Sequence, residues 1–307
     1  MNGKISLAVT LAFIIALSSF IPFYEKYRVP NVSEISDDPL FQKISQINNE
    51  KLLIIGGSAV GQLNSTHLNK VLSDKFSNHI IYNLAYNADI PTQRLDSIES
   101  TIFTNPEIIF YGISYWSFSD YYNIENSDYP LQSLFKNIFE INPKATTLNA
   151  LKIILGNDVG LFPSQYYISE LTPFYPYSKE QMEINEPSKF YLDVETTIQK
   201  VHQNPLDSEQ LTAFQDTIEI LQKNKIKVVI FTAPLHESYL DVIPKNDKIL
   251  FNETLKNLSQ KYDVKIYNFT NSYSNQNMWK DSYHVALNQN SLAYSDDVAQ
   301  MIIGEIP

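Results

Sequence analysis

A serine follows two glycines at the end of an apolar run, in the stretch LLIIGGSAV from Leu52 to Val60. A hydroxyl in this position can accept a hydrogen bond from a free amide in the first turn of a following helix, so Ser58 can be a helix cap. Ser58 can equally be a nucleophile, provided that a base removes its proton and a carboxylate orients the base. The choice between the two interpretations depends on the partners that the rest of the chain supplies.

Histidine is the side chain that most often acts as such a base near neutral pH. The histidines of the chain are His67, His79, His202, His236 and His284. His67 and His79 lie among polar residues with no acidic neighbour at a useful spacing, which predicts surface positions. His202 lies in a polar, helix-like stretch, and His236 follows an apolar run in TAPLHES, where it can line a pocket without being the base.

The fifth histidine, His284, lies three residues after Asp281 in WKDSYHVALNQN, just before the last helical pattern. In a tight turn this spacing presents a carboxylate and an imidazole to the same cleft, and the carboxylate fixes the tautomer of the ring. The alternative is an aspartate that caps a turn beside an exposed histidine. The first interpretation predicts that His284 Nε2 lies within hydrogen-bonding reach of Ser58 Oγ, with Asp281 on the Nδ1 side of the ring.

Short apolar runs rich in β-branched residues alternate with helical patterns along the chain. The predicted strands are Leu52–Ile55, Ile80–Leu84, Ile108–Ile113, Val228–Ala233 and Val264–Phe269. Three helical patterns each have apolar residues on one face. The residues are Leu211, Phe214, Ile218 and Leu221 in the first, Phe251, Leu255, Leu258 and Tyr262 in the second, and Tyr294, Val298, Met301 and Ile302 in the third. This alternation predicts an open, mostly parallel five-stranded α/β sheet with helices on both faces. Ligands of such sheets bind at the carboxyl ends of the strands, where Ser58 lies.

The N-terminal segment Ile5–Tyr24 carries no charged residue, and its length is enough to span a hydrocarbon core of about 30 Å. We interpret residues 1–24 as an uncleaved signal anchor, with a cleaved signal peptide as the alternative. Residues 25–41 have the polar character of a linker, and residues 42–307 form the α/β domain. This organisation predicts a membrane-anchored protein with an extracytoplasmic body, or a secreted protein if the leader is cleaved.

A segment dense in Tyr, Phe, Pro and Asn interrupts the alternation of strands and helices at about residues 115–204. We interpret it as an insertion beside the edge of the sheet that carries Ser58. Its aromatic residues are either a carbohydrate-binding wall or the insertion's own small core.

The composition excludes several classes of function. A formal net charge of -11 disfavours binding to nucleic acid, because phosphate contacts require a basic surface. The absence of cysteine excludes thiol catalysis, cysteine-bound metal and disulfides. The chemistry of a serine, a histidine and an aspartate requires neither a metal nor an organic cofactor.

Four sequence blocks together resemble the SGNH/GDSL hydrolase superfamily. They are IIGGSAV, IYNLAYNADI, PEIIFYGISYW and DSYHVALNQNS, and the resemblance spans roughly residues 51–303 without the insertion. It implies a flavodoxin-like sheet and a catalytic set of Ser58, Asp281 and His284. It also implies an oxyanion hole formed by Ser58, Ala88 and Ser114.

Three positions depart from the pattern of that superfamily. Gly57 stands where the first block has aspartate, Ala88 where the second has glycine, and Ser114 where the third has asparagine. Alanine keeps the backbone N–H that the second block contributes, whereas a serine hydroxyl is a shorter donor than an asparagine amide.

The layout is similar to membrane-anchored, extracytoplasmic members of the superfamily, such as the proteins of alginate acetylation and of D-alanyl-teichoic-acid assembly. The resemblance implies an esterase or O-acyltransferase that acts on ester-linked acyl groups of cell-surface glycans, with a membrane-bound acyl-transfer protein as a further partner. The alternative is a catalytically silent domain of the same fold that binds a glycan or a protein partner during surface-polymer assembly.

Overall fold

The computed structural model describes residues 39–85, 89–118, 208–286 and 289–307. The strands in these ranges are β1 (Glu50–Gly56), β2 (His79–Asn83), β3 (Ile108–Ile113), β4 (Lys227–Thr232) and β5 (Lys265–Asn268). The helices are α1 (Pro39–Ser45), α2 (Ser58–Gly61), α3 (Ser65–Ser73), α4 (Pro91–Asp96), α5 (Ile98–Phe103), α6 (Glu209–Lys223), α7 (Glu237–Val242), α8 (Lys245–Tyr262) and α9 (Leu292–Glu305).

The strands form one open sheet in the order β2-β1-β3-β4-β5, and all pairings are parallel. This is the flavodoxin-like order, in which the chain changes direction along the sheet between β1 and β3. The predicted α/β fold is confirmed, and the predicted strand ends differ from the observed ones by at most two residues. Ser58 and Ser114 follow β1 and β3, so both lie at this switch point.

Successive side chains of the inner strands enter two separate cores, because neighbouring residues of a strand point to opposite faces of the sheet. Leu52 and Ile54 of β1 pack in the core that α3 and α9 cover. Leu53 and Ile55 pack in the core that α1, α6 and α8 cover. The apolar faces predicted on α6, α8 and α9 are all buried, so the periodicity of the sequence identified the covering surfaces correctly.

Two paired glycines allow close contact between the end of β1 and β3. Gly56 pairs with Gly112 across the two strands, and its φ of 141° is a conformation that residues with a side chain rarely adopt. A Cβ on Gly56 would collide with the carbonyl oxygen of Gly112, and one on Gly112 would collide with the buried side chain of Val60. The turn that carries Ser58 therefore packs directly on β3.

Several predicted segments lie outside the described residues. These are the segment Ile5–Tyr24, residues 25–38 of the linker, Ala88, and the insertion beyond Phe118. In the part of the chain that the structure does describe, none of the helices combines the length and the apolar character needed to cross a membrane.

The glycine contact predicts the effect of Gly112→Ala on stability. The added methyl group would meet Val60 and lie 2.7 Å from Phe231 Cζ, and both side chains are fully buried. We expect the free energy of unfolding, measured in urea, to fall by about 1–3 kcal/mol because the neighbours have no space to move into. Gly304→Ala on α9 is the matched control, since a methyl group at that position would have nothing within 4 Å. It should be neutral or stabilise by up to about 1 kcal/mol; equal losses in both variants would contradict the prediction.

Candidate active site

Ser58 lies at the start of a short helix directly after β1. The N-cap position of α2 belongs to Gly57, whose extended backbone turns the chain out of the strand, and Ser58 is the first helical residue. Ser58 therefore does not occupy the capping position that its sequence context allowed. Because the first amides of a helix have no intrahelical acceptor, the backbone N–H of Ser58 also points out of the helix end.

The structure brings Ser58, His284 and Asp281 together in one hydrogen-bonded line. His284 Nε2 lies 2.8 Å from Ser58 Oγ, and His284 Nδ1 lies 2.7 Å from Asp281 Oδ2. The carboxylate beside Nδ1 fixes the proton of the neutral ring on that nitrogen, which leaves Nε2 as an acceptor for the Ser58 hydroxyl. This is the geometry that the sequence analysis predicts, and it joins residues that are 226 positions apart.

Asp281 also holds the backbone of the turn that presents His284. Its second oxygen, Oδ1, accepts hydrogen bonds from the N–H groups of Tyr283 at 3.1 Å and His284 at 2.7 Å. The flanking residues Trp279 and Val285 form an antiparallel bridge and are buried in the core. One carboxylate therefore orients both the backbone and the ring of His284.

The electrostatic surroundings keep Asp281 ionised. Burial raises the pKa of its carboxyl group, but the hydrogen bond and charge of His284, together with the two backbone N–H groups, outweigh burial and lower the pKa below its ordinary value. At neutral pH a carboxylate therefore lies beside the imidazole and stabilises it whenever the ring takes up a proton.

The predicted oxyanion donors are only partly described. Ser114 directly follows β3 and is buried, and its backbone N–H donates to Ser117 Oγ at 2.8 Å. The amide of Ser114 is thus already engaged, and its hydroxyl is the group that can serve an oxyanion. Ala88 lies outside the described residues.

A buried ion pair holds both ends of the loop that contains Ala88. Arg94 on α4 donates to Asp89 Oδ2 through Nε at 3.0 Å and also through Nη2, and Nη2 lies 3.3 Å from the carbonyl oxygen of Leu84. The Arg94 and Asp89 side chains are 2% and 1% exposed. The carbonyl oxygen of Asp89 in turn lies against Gly57. The pair therefore connects this loop to the turn of Ser58.

The sequence analysis missed two residues that position this part of the site. The signal for the ion pair was present in NADIPTQR, where Arg94 follows Asp89 by five residues around a helix start. The second missed residue is Asn83 at the end of β2. Its Nδ2 lies 3.3 Å from each of three carbonyl oxygens at the end of α2, those of Val60, Gly61 and Leu63.

The structure gives His67 and His79, which the sequence predicts at the surface, half-buried positions with acidic partners. His67 Nε2 lies 2.6 Å from Asp296 Oδ1, and His79 Nε2 lies 3.1 Å from Glu107 Oε2. These carboxylates are 229 and 28 positions away in the chain, so no local pattern could reveal them. The first pair connects α3 to α9, and the second connects the start of β2 to the residue before β3.

His236 does not join the line of Ser58. His236 is the N-cap of α7, where its Nδ1 accepts a hydrogen bond from the N–H of Ser238 at 3.2 Å. Burial lowers the pKa of His236. This favours the neutral imidazole, which can accept a hydrogen bond at Nδ1. His202 lies outside the described residues.

A cavity of about 310 Å³ lies at the amino ends of β4 and β5, at the edge of the sheet opposite Ser58. Its buried carboxylate, Glu305, is bound by Lys265 Nζ at 2.8 Å, Tyr267 OH at 2.5 Å and Lys227 Nζ at 2.9 Å. Burial raises the pKa of Glu305, but these donors outweigh it and lower the pKa to about 2. The carboxylate is thus fully engaged in holding α9 to the sheet. Across the described ranges no three His, Asp or Glu side chains converge as metal ligands.

Comparisons with solved structures find similar proteins at low identity. The chain is similar to an acetyl xylan esterase, AlAXEase, at 12% identity and a TM-score of 0.43, covering 83% of this chain and 100% of that chain. It is similar to the psychrotrophic esterase EstA from Pseudoalteromonas sp. at 10% identity and a TM-score of 0.43, covering 84% and 98%. It is also similar to TesA at 10% identity and a TM-score of 0.42, covering 83% and 97%. No protein-family model and no curated protein matches the chain. Likenesses at this level carry no functional argument, so the chemistry must come from the side chains of this chain.

The buried ion pair predicts a large effect of Arg94→Met. The substitution leaves the buried Asp89 carboxylate without this cation, and removing one partner of a buried pair costs about 3–5 kcal/mol in unfolding free energy. The control is Lys223→Met, which breaks an exposed pair with Glu219 at 3.9 Å and should cost less than about 1 kcal/mol. Urea denaturation of the two variants measures both effects. A loss at Arg94 as small as that at Lys223 would show that the ion pair does not hold the loop.

Proposed function

We propose that this protein is a serine esterase or O-acyltransferase of the SGNH/GDSL type that acts on ester-linked acyl groups. The observation that carries the proposal is the hydrogen-bonded line from Asp281 through His284 to Ser58, with distances of 2.7 and 2.8 Å. Two features support it further. The line lies at the carboxyl edge of a parallel sheet, where such folds bind ligands, and the sequence blocks that carry it resemble that superfamily.

In the first half of the proposed reaction, His284 Nε2 takes the proton of Ser58 while Oγ attacks the acyl carbonyl carbon. The resulting imidazolium lies beside the ionised Asp281, which stabilises its charge. The negative charge on the former carbonyl oxygen is held by the N–H groups of Ser58 and Ala88 and by the hydroxyl of Ser114. Collapse of this intermediate breaks the ester bond, and His284 gives its proton to the departing alcohol.

In the second half, the acyl group is attached to Ser58 as an ester. A second hydroxyl compound gives its proton to His284 and attacks the acyl carbon. The ester bond to Ser58 then breaks, and His284 returns the proton to Ser58 Oγ, which restores the starting state. Water as the attacking compound makes the protein an esterase, and a sugar hydroxyl makes it a transferase. Both reactions use the same three side chains.

We further propose that the acyl groups belong to cell-surface glycans. The uncharged segment Ile5–Tyr24 supports a body that lies outside the membrane, anchored by this segment or secreted after its cleavage. In the transferase reaction the acyl donor comes from a membrane-bound partner.

The competing function is a catalytically silent domain that binds a glycan or a protein. Ser114 in place of asparagine and Gly57 in place of aspartate favour it, because both departures fall in the superfamily's catalytic blocks. A silent domain, however, has no physical need for an ionised carboxylate, an oriented imidazole and a serine hydroxyl in one line. We therefore favour the enzyme.

The first test of the enzyme is labelling of the full chain by a fluorophosphonate probe, together with hydrolysis of activated esters. We expect the label on Ser58, and we expect Ser58→Ala and His284→Ala to lose at least about 10³-fold in kcat, because the triad acts as a unit. The control is Ser73→Ala, whose hydroxyl is exposed and bonds within its own helix. Equal labelling and turnover in wild type and Ser58→Ala, with sugar acceptors also supplied, would contradict the proposal.

The second test concerns the oxyanion. If the Ser114 hydroxyl binds the oxyanion, Ser114→Ala should lower kcat and kcat/KM together by about 10²–10³-fold, because the bond is made mainly in the transition state. Ser114→Asn should preserve or raise the rate, since its amide is a longer donor. The control is Ser117→Ala, which removes the acceptor of the Ser114 amide and leaves the hydroxyl in place. Equal losses in Ser114→Ala and Ser117→Ala would assign the effect to the turn instead of the hydroxyl.

A further inference from the structure

Three aromatic rings from three different segments meet beside His284. Trp116 comes from the turn after β3, Tyr239 from α7, and Tyr283 from the turn that Asp281 organises. The ring centroids of Trp116 and Tyr283 are 4.9 Å apart, those of Trp116 and Tyr239 are 5.5 Å apart, and those of Tyr239 and Tyr283 are 6.1 Å apart. We call these three residues the aromatic cluster.

The aromatic cluster is in direct contact with the proposed base. The Tyr283 ring lies 4.1 Å from the His284 ring, centroid to centroid. Tyr239 is 1% exposed and contacts the other two rings, whereas Trp116 and Tyr283 are partly exposed. The cluster therefore presents a solvent-facing aromatic surface that continues from the imidazole.

The first aromatic residues of the predicted insertion have different environments. Phe118 is fully buried and packs on Phe214 with a centroid distance of 5.2 Å, so it belongs to the core. Trp116 remains partly exposed beside His284. Its turn is closed by hydrogen bonds between Ser114 and Ser117, at 2.8 Å to the hydroxyl and 3.0 Å along the backbone. The position of Trp116 is thus tied to that of Ser114.

The direction of proton transfer decides which part of an ester meets this surface. In the proposed reaction His284 protonates the departing alcohol, so the alcohol oxygen must lie next to His284 Nε2. The body of that alcohol extends over whatever surrounds the imidazole, while the acyl chain leaves the carbonyl carbon in another direction. The aromatic cluster therefore faces the alcohol part of the ester, and in a transferase it faces the acceptor.

We infer that Trp116 and Tyr283 form the subsite for the alcohol part of the substrate and that this alcohol is a sugar ring. The inference rests on the proposed function. A pyranose ring has flat faces of C–H groups rimmed by hydroxyls, so its face can cover an aromatic ring while its hydroxyls stay in water. A long acyl chain would instead require an enclosed apolar pocket, which a partly exposed surface does not provide.

The test compares two monoacetate esters that differ in the alcohol, methyl 6-O-acetylglucopyranoside and ethyl acetate. The readout is a selectivity ratio, kcat/KM for the sugar ester divided by kcat/KM for ethyl acetate. We expect Trp116→Leu, which keeps an apolar side chain without the flat ring, to lower this ratio about tenfold, mainly through KM of the sugar ester. Trp116→Phe keeps an aromatic ring and should restore most of the selectivity ratio. Phe103→Ala on α5 is the control, because it removes an exposed aromatic ring at the opposite edge of the sheet.

An unchanged ratio in Trp116→Leu would overturn the inference while leaving the esterase intact. A changed ratio of ethyl butyrate to ethyl acetate, with the sugar ratio unaltered, would likewise overturn it by assigning the surface to the acyl chain. If no ester is turned over and Ser58 is not labelled, the proposed function fails. Binding of the sugar ester then tests by itself whether Trp116 and Tyr283 form a sugar site. Trp279 is 3% exposed, so a change of tryptophan fluorescence on titrating Ser58→Ala with methyl 6-O-acetylglucopyranoside is expected to come from Trp116 and to disappear with Trp116→Phe. No such change in Ser58→Ala would overturn the inference.

Discussion

The close packing of β1 on β3 at Gly56 and Gly112 is the constraint on which the geometry of the site depends. Any side chain at either position would occupy space that the opposite backbone or Val60 now fills. The contact fixes where the chain leaves β1 and thus where Ser58 stands relative to the turn after β3, which carries Ser114 and Trp116. Parallel strands present these turns at one edge of the sheet, and the segment of His284 completes the same edge from the far end of the chain.

The carboxylate of Asp281 orients two parts of the His284 turn, the imidazole ring and the backbone. Oδ2 orients the imidazole of His284, and Oδ1 holds the N–H groups of the turn that carries the ring. The N–H groups and the imidazole also lower the pKa of the carboxyl group against the effect of burial. The charge that a protonated His284 would require in the proposed reaction is therefore already in place beside the ring.

The buried pair of Asp89 and Arg94 lies in the segment after β2, which contacts Gly57. Two charges with almost no solvent contact are stable only when each satisfies the other and the surrounding carbonyl groups. Arg94 meets this requirement by binding both Asp89 and the Leu84 carbonyl oxygen, and thereby connects the residue after β2 to the segment before α4. The turn of His284 and the segment after β2 are thus each held by a carboxylate and its hydrogen-bond partners, Asp281 in the first and Asp89 in the second.

The sequence by itself determined the sheet, the buried helix faces and the short-range relation of Asp281 to His284, because periodicity and local spacing encode them directly. It also selected His284 from five histidines, since only that one has an aspartate within the same turn. Tertiary structure decided everything that joins distant segments. The partners of His67 and His79, the anchoring of α2 by Asn83, and the contact of Trp116 with Tyr283 have no local signal, because each depends on side chains that only packing brings together. Ser58 shows the same division, because its neighbours in sequence allowed a helix cap, whereas the histidine that contacts its hydroxyl lies 226 positions away.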